Sequence, residues 1–403
     1  MGNIGCPAKV RSAEFTPSGP DPAGGSRVKR DVAIDYLRGG VIVSVVAHHS
    51  ALAYTTFSHY NPVHYEKSTA PVVDTVRFPP LDVLVSWNDI FFMSLMFFIS
   101  GLFVAPSIIR KGAGRFLADR AKRLGIPFII AITFLSPIAF YPSWLLSDSA
   151  GREFFLGYFF TNDVWSPGPA WFLSVLLVFC IIAAGAYHFM PELMKRFSWS
   201  AGSAGGLVIV VVAVNMMATI PVHLFLAHSE WFRLAGPLHF PASRSLLYFA
   251  WFLLGVAMGG AGQERSLSRE NLRWWPLWLI IGALGYAVHA AFLSGKYLQD
   301  GPAWEIKLIL STAFTLCCSF TSLAALGLAR SLFRTSWSVA GHFSENAYGV
   351  YIFHYAFVIW LQFGLLTQPM SAVVKFLVTF PVALTASWSL TALLRRTPAK
   401  KIL

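Results

Sequence analysis

The chain contains repeated apolar runs, each long enough to cross a lipid bilayer. A spanning helix needs about 20 predominantly apolar residues. Ten segments meet this requirement, near residues 34–57, 82–109, 124–146, 169–190, 203–226, 244–263, 274–294, 305–329, 346–367 and 371–394. Charged residues make up 12% of the sequence, about half of the roughly 25% typical of soluble proteins. The pattern excludes a set of soluble domains and predicts an all-α polytopic membrane bundle of about ten transmembrane helices.

The distribution of basic residues predicts the orientation of this bundle. The two tails and alternate connections carry twenty-two of the Lys and Arg residues, whereas the connections on the other side carry eight. Basic residues accumulate on the cytoplasmic side of membrane proteins, so both termini are predicted to be cytoplasmic. The net charge of +12 follows from this asymmetry. We therefore expect a lipid bilayer as the partner of the basic residues, and no nucleic acid.

One domain accounts for most of the predicted organisation. Residues 1–30, rich in Gly, Pro, Ser and charge, predict a disordered cytoplasmic tail. Residues 31–394 form the membrane domain, and residues 395–403 form a basic cytoplasmic tail. No metal site is expected, because the cysteines lack the spacing of zinc ligands and are predicted to be packing residues: Cys6, Cys180, Cys317 and Cys318.

The first apolar segment carries ionisable residues on one face. Arg38 and His49 are eleven residues apart, which on an α-helix is about 20° beyond three full turns and about 16 Å along the axis. Asp35 precedes Arg38 by three residues and lies on the same stripe, whereas His48 points about 80° away. Arg38 is predicted near the cytoplasmic surface and His49 slightly beyond the midplane of the bilayer.

Two interpretations of this stripe stay open on physical grounds. Ionisable groups near the bilayer centre cost about 2.5–3.5 kcal/mol each and usually face a functional interior. Asp35 and Arg38 can instead form an ion pair at the cytoplasmic interface, with His49 a hydrogen-bonded core residue. The geometry favours function, since a donor entering from the cytosol with phosphates at one end would bring a thioester beside His49. Histidine suits a general base because its pKa lies near operating pH.

The pair Arg38 and His49, with ten residues between them, resembles the R-x10-H signature of the acyltransferase 3 family of membrane O-acyltransferases. Four further segments resemble elements of that family in order. They are an aromatic-Ser-Gly helix end, an RxxR segment, a WFL element and an SYxxYxxH helix, here Phe97–Phe103, Arg120–Pro127, Trp171–Leu173 and Ser344–His354. The resemblance spans about residues 31–394.

Within the family, Trp87-Asn88-Asp89 and Arg123–Pro127 are most similar to the branch that succinylates periplasmic glucans. That branch often has a histidine just before its WFL element, where this chain has Pro169 and Ala170. The resemblance implies transfer of an acetyl or succinyl group from cytosolic acyl-CoA to a hydroxyl of a cell-envelope carbohydrate or related glycoside. It also implies a multi-pass location in the bacterial inner membrane. No bound cofactor is expected, and no oligomeric state is predicted.

Three catalytic residues follow from the resemblance. His49 would deprotonate the acceptor hydroxyl or accept the acyl group briefly. Arg38, supported by Asp35, would hold the donor and stabilise developing oxyanion charge. Arg120 and Arg123 are neighbours on one helical face and would clamp the phosphates of CoA. Their alternative role is topology-setting charge against anionic lipid.

Five residues are predicted to bind substrate: Asn88, Asp89, Trp171, Tyr351 and His354. Asn88 and Asp89 lie near the outer end of the second helix, where interfacial solvation explains them equally well. Tyr351 and His354 are three residues apart and adjoin on one helical face. A structural histidine is the alternative for His354.

A proton-coupled secondary transporter is the second functional hypothesis, because buried Asp, Arg and His also serve proton transport. Transporters commonly contain paired repeats with interrupted helices in both halves. The stripe in the first segment has no counterpart in the sixth, where a repeat of five helices would place one. The sequence therefore favours the enzyme.

Overall fold

A computed structural model describes residues 31–151, 155–160, 164–226, 230–293, 303–335 and 337–403. Within these ranges the predicted all-α bundle is confirmed, and one short β-hairpin accompanies it. The predicted tail of residues 1–30, which includes Cys6, lies outside the described residues.

Ten long helices match the ten predicted segments in order. They are α1 Val32–Leu52, α2 Pro80–Leu102, α3 Ala113–Leu145, α4 Trp171–Phe189, α5 Ala204–Phe225, α6 Ala242–Ala261, α7 Trp275–Leu293, α8 Trp304–Leu332, α9 Ser338–Leu365 and α10 Ala372–Leu394. The connections contain short helices, Val104–Lys111, Phe155–Phe160, Pro191–Arg196 and Gln263–Ser266, and the 3-10 turns Tyr65–Lys67, Gly168–Ala170 and Pro398–Lys401. Strands β1 Trp231–Ala235 and β2 Leu238–Pro241 pair antiparallel between α5 and α6.

Some helix boundaries differ from the predicted ones. α3 begins at Ala113 rather than near residue 124, and α9 begins at Ser338 rather than near residue 346. The added turns carry polar and basic side chains, such as Arg115, so hydropathy assigns them to a connection. A helix continues past the bilayer where water solvates its polar side chains. α1 ends at Leu52, five residues before its predicted end.

α1 occupies the interior of the helix bundle. Among the described residues, the nine helices α2–α10 are long and apolar enough to cross a membrane. α1 has 21 residues but is more polar, because it carries Asp35, Arg38 and two histidines. It packs against α2, α8, α9 and α10. Protein rather than lipid therefore surrounds its polar side chains, as the cost of a charge in lipid requires.

α2 and α6 approach each other through glycines. A Cβ atom at Gly101 would lie 2.3 Å from the carbonyl oxygen of Phe252, and one at Gly255 would lie 2.2 Å from that of Phe98. Any larger residue at these positions would separate the two backbones, as in other membrane helix pairs with small residues at their interface. The contact holds α2 and α6 in a fixed register.

Prolines change the hydrogen bonding of α3, which contains π-helical turns at Ala121–Gly125 and Ala131–Leu135. Pro142 has no N–H group for the carbonyl of Ile138. The indole Nε1 of Trp360 in α9 donates to that carbonyl at 2.9 Å instead. The proline thus creates an acceptor that ties α3 to α9.

At one end of the bundle, the connection after α1 contacts the ends of α3 and α10. The Tyr60 hydroxyl donates to the carbonyl oxygen of Ser143. Lys375 Nζ at the start of α10 lies 2.7 Å from Asp74 Oδ2, and these side chains are only 1% and 2% exposed. The distribution of basic residues predicts that this end faces away from the cytoplasm. We call it the outer end and the opposite one the inner end.

Candidate active site

The Asp35–Arg38 pair lies in the inner half of α1. A guanidinium nitrogen of Arg38 is 3.5 Å from Asp35 Oδ1, and the side chains are 38% and 16% exposed, respectively. The hydroxyl of Ser344 in α9 donates to the backbone carbonyl of Asp35 at 2.8 Å. The predicted proximity of the two charged residues is therefore observed, and α9 contacts them from the side.

His49, in the last turn of α1, belongs to a group of aromatic rings. Its ring centroid lies 5.3 Å from that of His354 and 5.0 Å from that of Tyr355, both on α9. The side-chain amide of Gln362 donates to the His49 carbonyl at 2.9 Å. His49 is half-buried, whereas His354 is fully buried. The structure thus brings together two histidines that the sequence predicts only separately.

The tautomer of His354 follows from its hydrogen bond. Nδ1 lies 2.7 Å from the backbone carbonyl oxygen of Tyr351. A carbonyl oxygen only accepts, so Nδ1 carries the hydrogen and Nε2 of the neutral ring presents a lone pair. His354 Nε2 and His49 Nδ1 are both buried and make no hydrogen bond to any described residue. Two neighbouring imidazoles therefore each have a buried nitrogen without a hydrogen bond to a described residue, a group that can accept a proton.

Tyrosines on α9 connect this histidine pair to other elements. Tyr348, Tyr351 and Tyr355 are spaced by three and four residues, so they share one face of the helix. The Tyr351 hydroxyl donates to the carbonyl of Pro169, just before α4. The Tyr348 hydroxyl donates to the carbonyl of Arg123 in α3. From Tyr348 to Tyr355 the face extends about 10 Å along α9.

The predicted phosphate-binding residues lie at the inner part of this face. Arg120 is half-buried with its guanidinium carbon 5.1 Å from the centre of the Phe116 ring, and Arg123 is exposed. Both guanidinium groups lie close enough to the Tyr348 hydroxyl to act on it electrostatically. Arg120 and Arg123 thus lie at the Tyr348 end of the α9 face. The Tyr355 end of the same face adjoins His49.

A narrow pocket lies between the inner arginines and the histidine pair. Its walls come from the second π-helical turn of α3, the residues before α4 and the middle of α9, and they are mostly apolar. Tyr351 and Tyr355 both line it. Since Tyr355 also contacts His49, the pocket ends beside the histidine pair.

Asp89 and Asn88 lie on a different side of α1. The Asp89 carboxylate binds Arg244 of α6, with 2.7 Å between Oδ2 and Nη1. This ion pair acts electrostatically on His48 rather than on His49. Asn88 is buried, and its amide nitrogen lies 3.4 Å from the Ser44 carbonyl. Among the described residues, Asp89 therefore adjoins His48, which the helical geometry sets apart from the stripe of Asp35, Arg38 and His49.

Arg244 is a residue that the sequence analysis missed. It was counted among the charges of an outer connection, yet its side chain is only 14% exposed. Its guanidinium also interacts with the Tyr248 hydroxyl and lies 5.3 Å from the Phe314 ring centre. The spacing of four residues between Arg244 and Tyr248 was the available signal. His48, buried and stacked on Phe92 at 5.3 Å, lies between this cluster and His49.

Trp171, the first residue of α4, packs against α2 and α6, and its ring centroid lies 6.4 Å from that of Phe97. Its ring stacks on that of Tyr248, with 5.8 Å between centroids and 25° between planes. It also contacts Trp231 of the hairpin edge to face, at 5.8 Å. The part of the chain that the structure describes contains no group of three or more His, Cys, Asp or Glu side chains that could hold a metal ion.

Comparison with known families gives one match of nearly full length. The family model described as an acyltransferase domain, that of acyltransferase 3 proteins, matches residues 31–392. The match covers every residue of the stripe in α1 and both histidines of the pair. No curated protein matches the chain.

Proposed function

This chain belongs to the acyltransferase 3 family, and from that premise we propose that it is a membrane O-acyltransferase using cytosolic acyl-CoA. The acyl group, acetyl or succinyl, passes to a hydroxyl of a cell-envelope carbohydrate or related glycoside. The segments similar to the glucan-succinylating branch support a glucan as acceptor. The enzyme is multi-pass, and we place it in the bacterial inner membrane.

The observation that carries this proposal is a pair of neighbouring imidazoles, each with a buried nitrogen that makes no hydrogen bond to a described residue. An acceptor hydroxyl between His49 Nδ1 and His354 Nε2 would have two acceptors for its proton. His49 takes that proton as the hydroxyl oxygen attacks the thioester carbonyl carbon. The C–O bond forms, the C–S bond breaks, and the thiolate of CoA takes the proton back from the imidazolium. Transient acylation of His49 is the alternative route.

The donor lies along the α9 face in this proposal. Arg120 and Arg123 hold the phosphates of CoA through charge-assisted hydrogen bonds. The pantetheine arm follows the narrow apolar pocket beside Tyr351 and Tyr355, which has to widen to admit it, and brings the thioester toward His49. Arg38, oriented by Asp35, carries a second positive charge on the inner side of His49. About 16 Å of helix separates Arg38 from His49, so Arg38 contributes to binding of the donor's inner part and not to the charge that forms beside His49.

The acceptor comes from the outer end. Asp89 is 44% exposed, and its carboxylate accepts hydrogen bonds from sugar hydroxyls. Asn88 supports the position of Asp89 through its contact with α1. Trp171, next to the turn that Tyr351 binds, offers an apolar surface to the carbohydrate. In this proposal the acceptor reaches the histidine pair from the side of Asp89, and the donor reaches it along α9.

Purified protein in proteoliposomes tests the proposal against the transporter alternative. We expect acyl-CoA and a carbohydrate acceptor together to release free CoA thiol, with little release when either is omitted. Thiol release is followed with a chromogenic disulfide. Movement of acyl-CoA or carbohydrate across the bilayer without release of thiol would contradict the enzyme and support transport.

A further inference from the structure

His49 lies in the last turn of α1, where a helix is least firmly held. α1 ends at Leu52, three residues beyond His49. The carbonyl oxygens of a last helical turn lack N–H donors from further along the same helix, and helix ends open more readily than helix interiors. The proposed reaction requires the His49 ring to stay beside that of His354, 5.3 Å away. The backbone at His49 therefore needs an anchor outside α1.

Gln362 of α9 provides this anchor. Its side-chain amide nitrogen donates to the His49 carbonyl oxygen at 2.9 Å and to the Ser50 carbonyl oxygen at 3.2 Å. Both partners are backbone carbonyls, which only accept, so the amide group presents its nitrogen and not its oxygen to α1. One side chain thus binds two successive residues in the last turn of α1.

The other polar side chains at this end of α1 bind residues beyond His49. The Thr55 hydroxyl donates to the carbonyl of Leu52. The guanidinium of Arg77 donates to two carbonyls of the connection that follows α1. Among the described side chains, Gln362 is therefore the one that binds the backbone of His49 itself.

Gln362 continues the tyrosine face of α9 toward the outer end. Tyr348, Tyr355 and Gln362 are spaced by seven residues, which returns to the same side of an α-helix within about 20°. Tyr355 contacts the His49 ring at 5.0 Å, and Gln362 lies about 10 Å further along α9. α9 therefore contacts both the ring and the main chain of His49, and the same helix carries His354.

The burial of Gln362 indicates that its donor groups have a specific role. The side chain is 1% exposed, and its Oε1 atom makes no hydrogen bond to any described residue. A buried acceptor without a partner costs free energy. Methionine would fill this position without that cost, but it cannot donate to the carbonyls of α1. The two hydrogen bonds to α1 are therefore what glutamine supplies here.

We propose that Gln362 is a positioning residue of the transfer reaction. It fixes the end of α1 so that the His49 imidazole faces His354, and it acts through His49 without contacting either substrate. This assignment rests on the proposed acyl transfer. Loss of the amide donor slows the chemical step and leaves the binding of acyl-CoA unchanged, because Gln362 lies about 21 Å along α9 from Tyr348, the residue that adjoins the inner arginines.

Gln362→Met tests the proposal, with Asn215→Leu as its matched control. Asn215 of α5 is also a fully buried amide, its nitrogen donates to the Ser319 hydroxyl of α8 at 3.0 Å, and its Oδ1 makes no hydrogen bond to a described residue. Both substitutions remove a buried amide donor between two membrane helices. Only Gln362→Met removes one that binds His49.

The two variants are compared by steady-state kinetics of thiol release. We expect Gln362→Met to lower kcat at least about tenfold, since a small displacement of a reacting group can cost that much or more. The KM for acyl-CoA should stay the same, and Asn215→Leu should change neither constant. An unchanged kcat in Gln362→Met would overturn the proposal. So would an equal fall in both variants, because it would show a general effect of losing a buried amide.

Combining Gln362→Met with His354→Ala separates positioning from a damaged fold. If Gln362 directs His49 toward His354, removal of His354 takes away part of what the amide contributes, and the two effects are not additive. In the His354→Ala background, Gln362→Met should therefore lower kcat by less than about threefold. An equal factor in the wild-type and His354→Ala backgrounds contradicts positioning.

Melting temperatures in detergent show which variants are folded. If Gln362→Met does not fold, Gln362→Asn takes its place, because its amide is one methylene short of the two carbonyls. A fall in kcat is expected for this variant as well, and an unchanged kcat contradicts the proposal. Failure of the wild type to release thiol contradicts the transferase itself, and the positioning role is then wrong with it.

Discussion

His48 and His49 show how one step along a helix separates two identical side chains. A rotation of about 100° directs His49 toward α9 and His48 toward α2. His49 contacts His354 and Tyr355, whereas His48 stacks on Phe92 beside the Asp89–Arg244 pair. The helical stripe predicted from sequence thus selects the histidine that contacts α9.

His354 is predicted to act in the reaction. His354→Ala should lower kcat by about a hundredfold, as expected for loss of a group that orients or receives a proton. The KM for acyl-CoA should stay unchanged, because His354 is distant from the arginines. Steady-state kinetics of thiol release measure both constants.

His289→Ala is the matched control for this prediction. His289 is also a buried histidine of a membrane helix, and its Nδ1 also lies near a backbone carbonyl, that of Leu310 at 3.2 Å. An equal fall in kcat for both variants would show that loss of a buried histidine impairs the fold. It would remove the reason for a specific role of His354.

At the scale of elements, α9 joins parts of the chain that sequence alone leaves unrelated. The motif Ser344–His354 indicates a functional helix. Its partners lie far away: 225 residues separate Tyr348 from Arg123, and 182 separate Tyr351 from Pro169. Local spacing carries no information about such contacts. The periodicity of α1 could therefore be predicted, but its pairing with α9 could not.

The inner part of α3 gives a prediction about donor binding. The double variant Arg120→Ala/Arg123→Ala should raise the KM for acyl-CoA at least roughly tenfold, since each charge-assisted hydrogen bond is worth about 1.5–3 kcal/mol. The KM for acyl-pantetheine should stay the same, because this donor lacks the nucleotide phosphates.

The control is Arg115→Ala, which removes an exposed positive charge from the same helix. Kinetics with the two donors distinguish phosphate recognition from general attraction by the basic segment. If all these variants raise the KM of both donors alike, Arg120 and Arg123 set topology or bind lipid, and the phosphate clamp is wrong.

At the scale of the whole molecule, length and hydropathy predicted every long helix, because the bilayer imposes a common apolar length. The same signal missed the polar starts of α3 and α9, and it counted Arg244 as a loop charge. Burial of Arg244 depends on the close approach of α2 and α6. The spacing of residues within one helix does not predict that contact. The sequence therefore predicts which ionisable residues lie close together only where they share one helix, as Asp35 and Arg38 do in α1.

The outer end supplies a prediction about stability. Asp74 and Lys375 are almost fully buried and tie the connection after α1 to α10. Asp74→Asn leaves a buried ammonium without its counter-charge and should destabilise the protein by about 3–5 kcal/mol. The double variant Asp74→Asn/Lys375→Met should recover part of this loss. Thermal unfolding in detergent measures the change.

Lys111→Met removes one partner of an ion pair at the inner end, where the Asp119 carboxylate is 54% exposed. Its effect on unfolding should be small, since exposed pairs contribute about 0–1 kcal/mol. Equal melting temperatures for Asp74→Asn and Lys111→Met would contradict a stabilising role for the buried pair.

If His49 catalyses acyl transfer to an envelope carbohydrate, its loss changes the mass of that carbohydrate. A strain lacking the gene is complemented with wild type, His49→Ala or the control His289→Ala, at equal membrane levels of protein. Mass spectrometry of its envelope glycans should show ester-linked acyl groups with wild type and with His289→Ala, and none with His49→Ala. Full acylation with His49→Ala would contradict a catalytic role for His49.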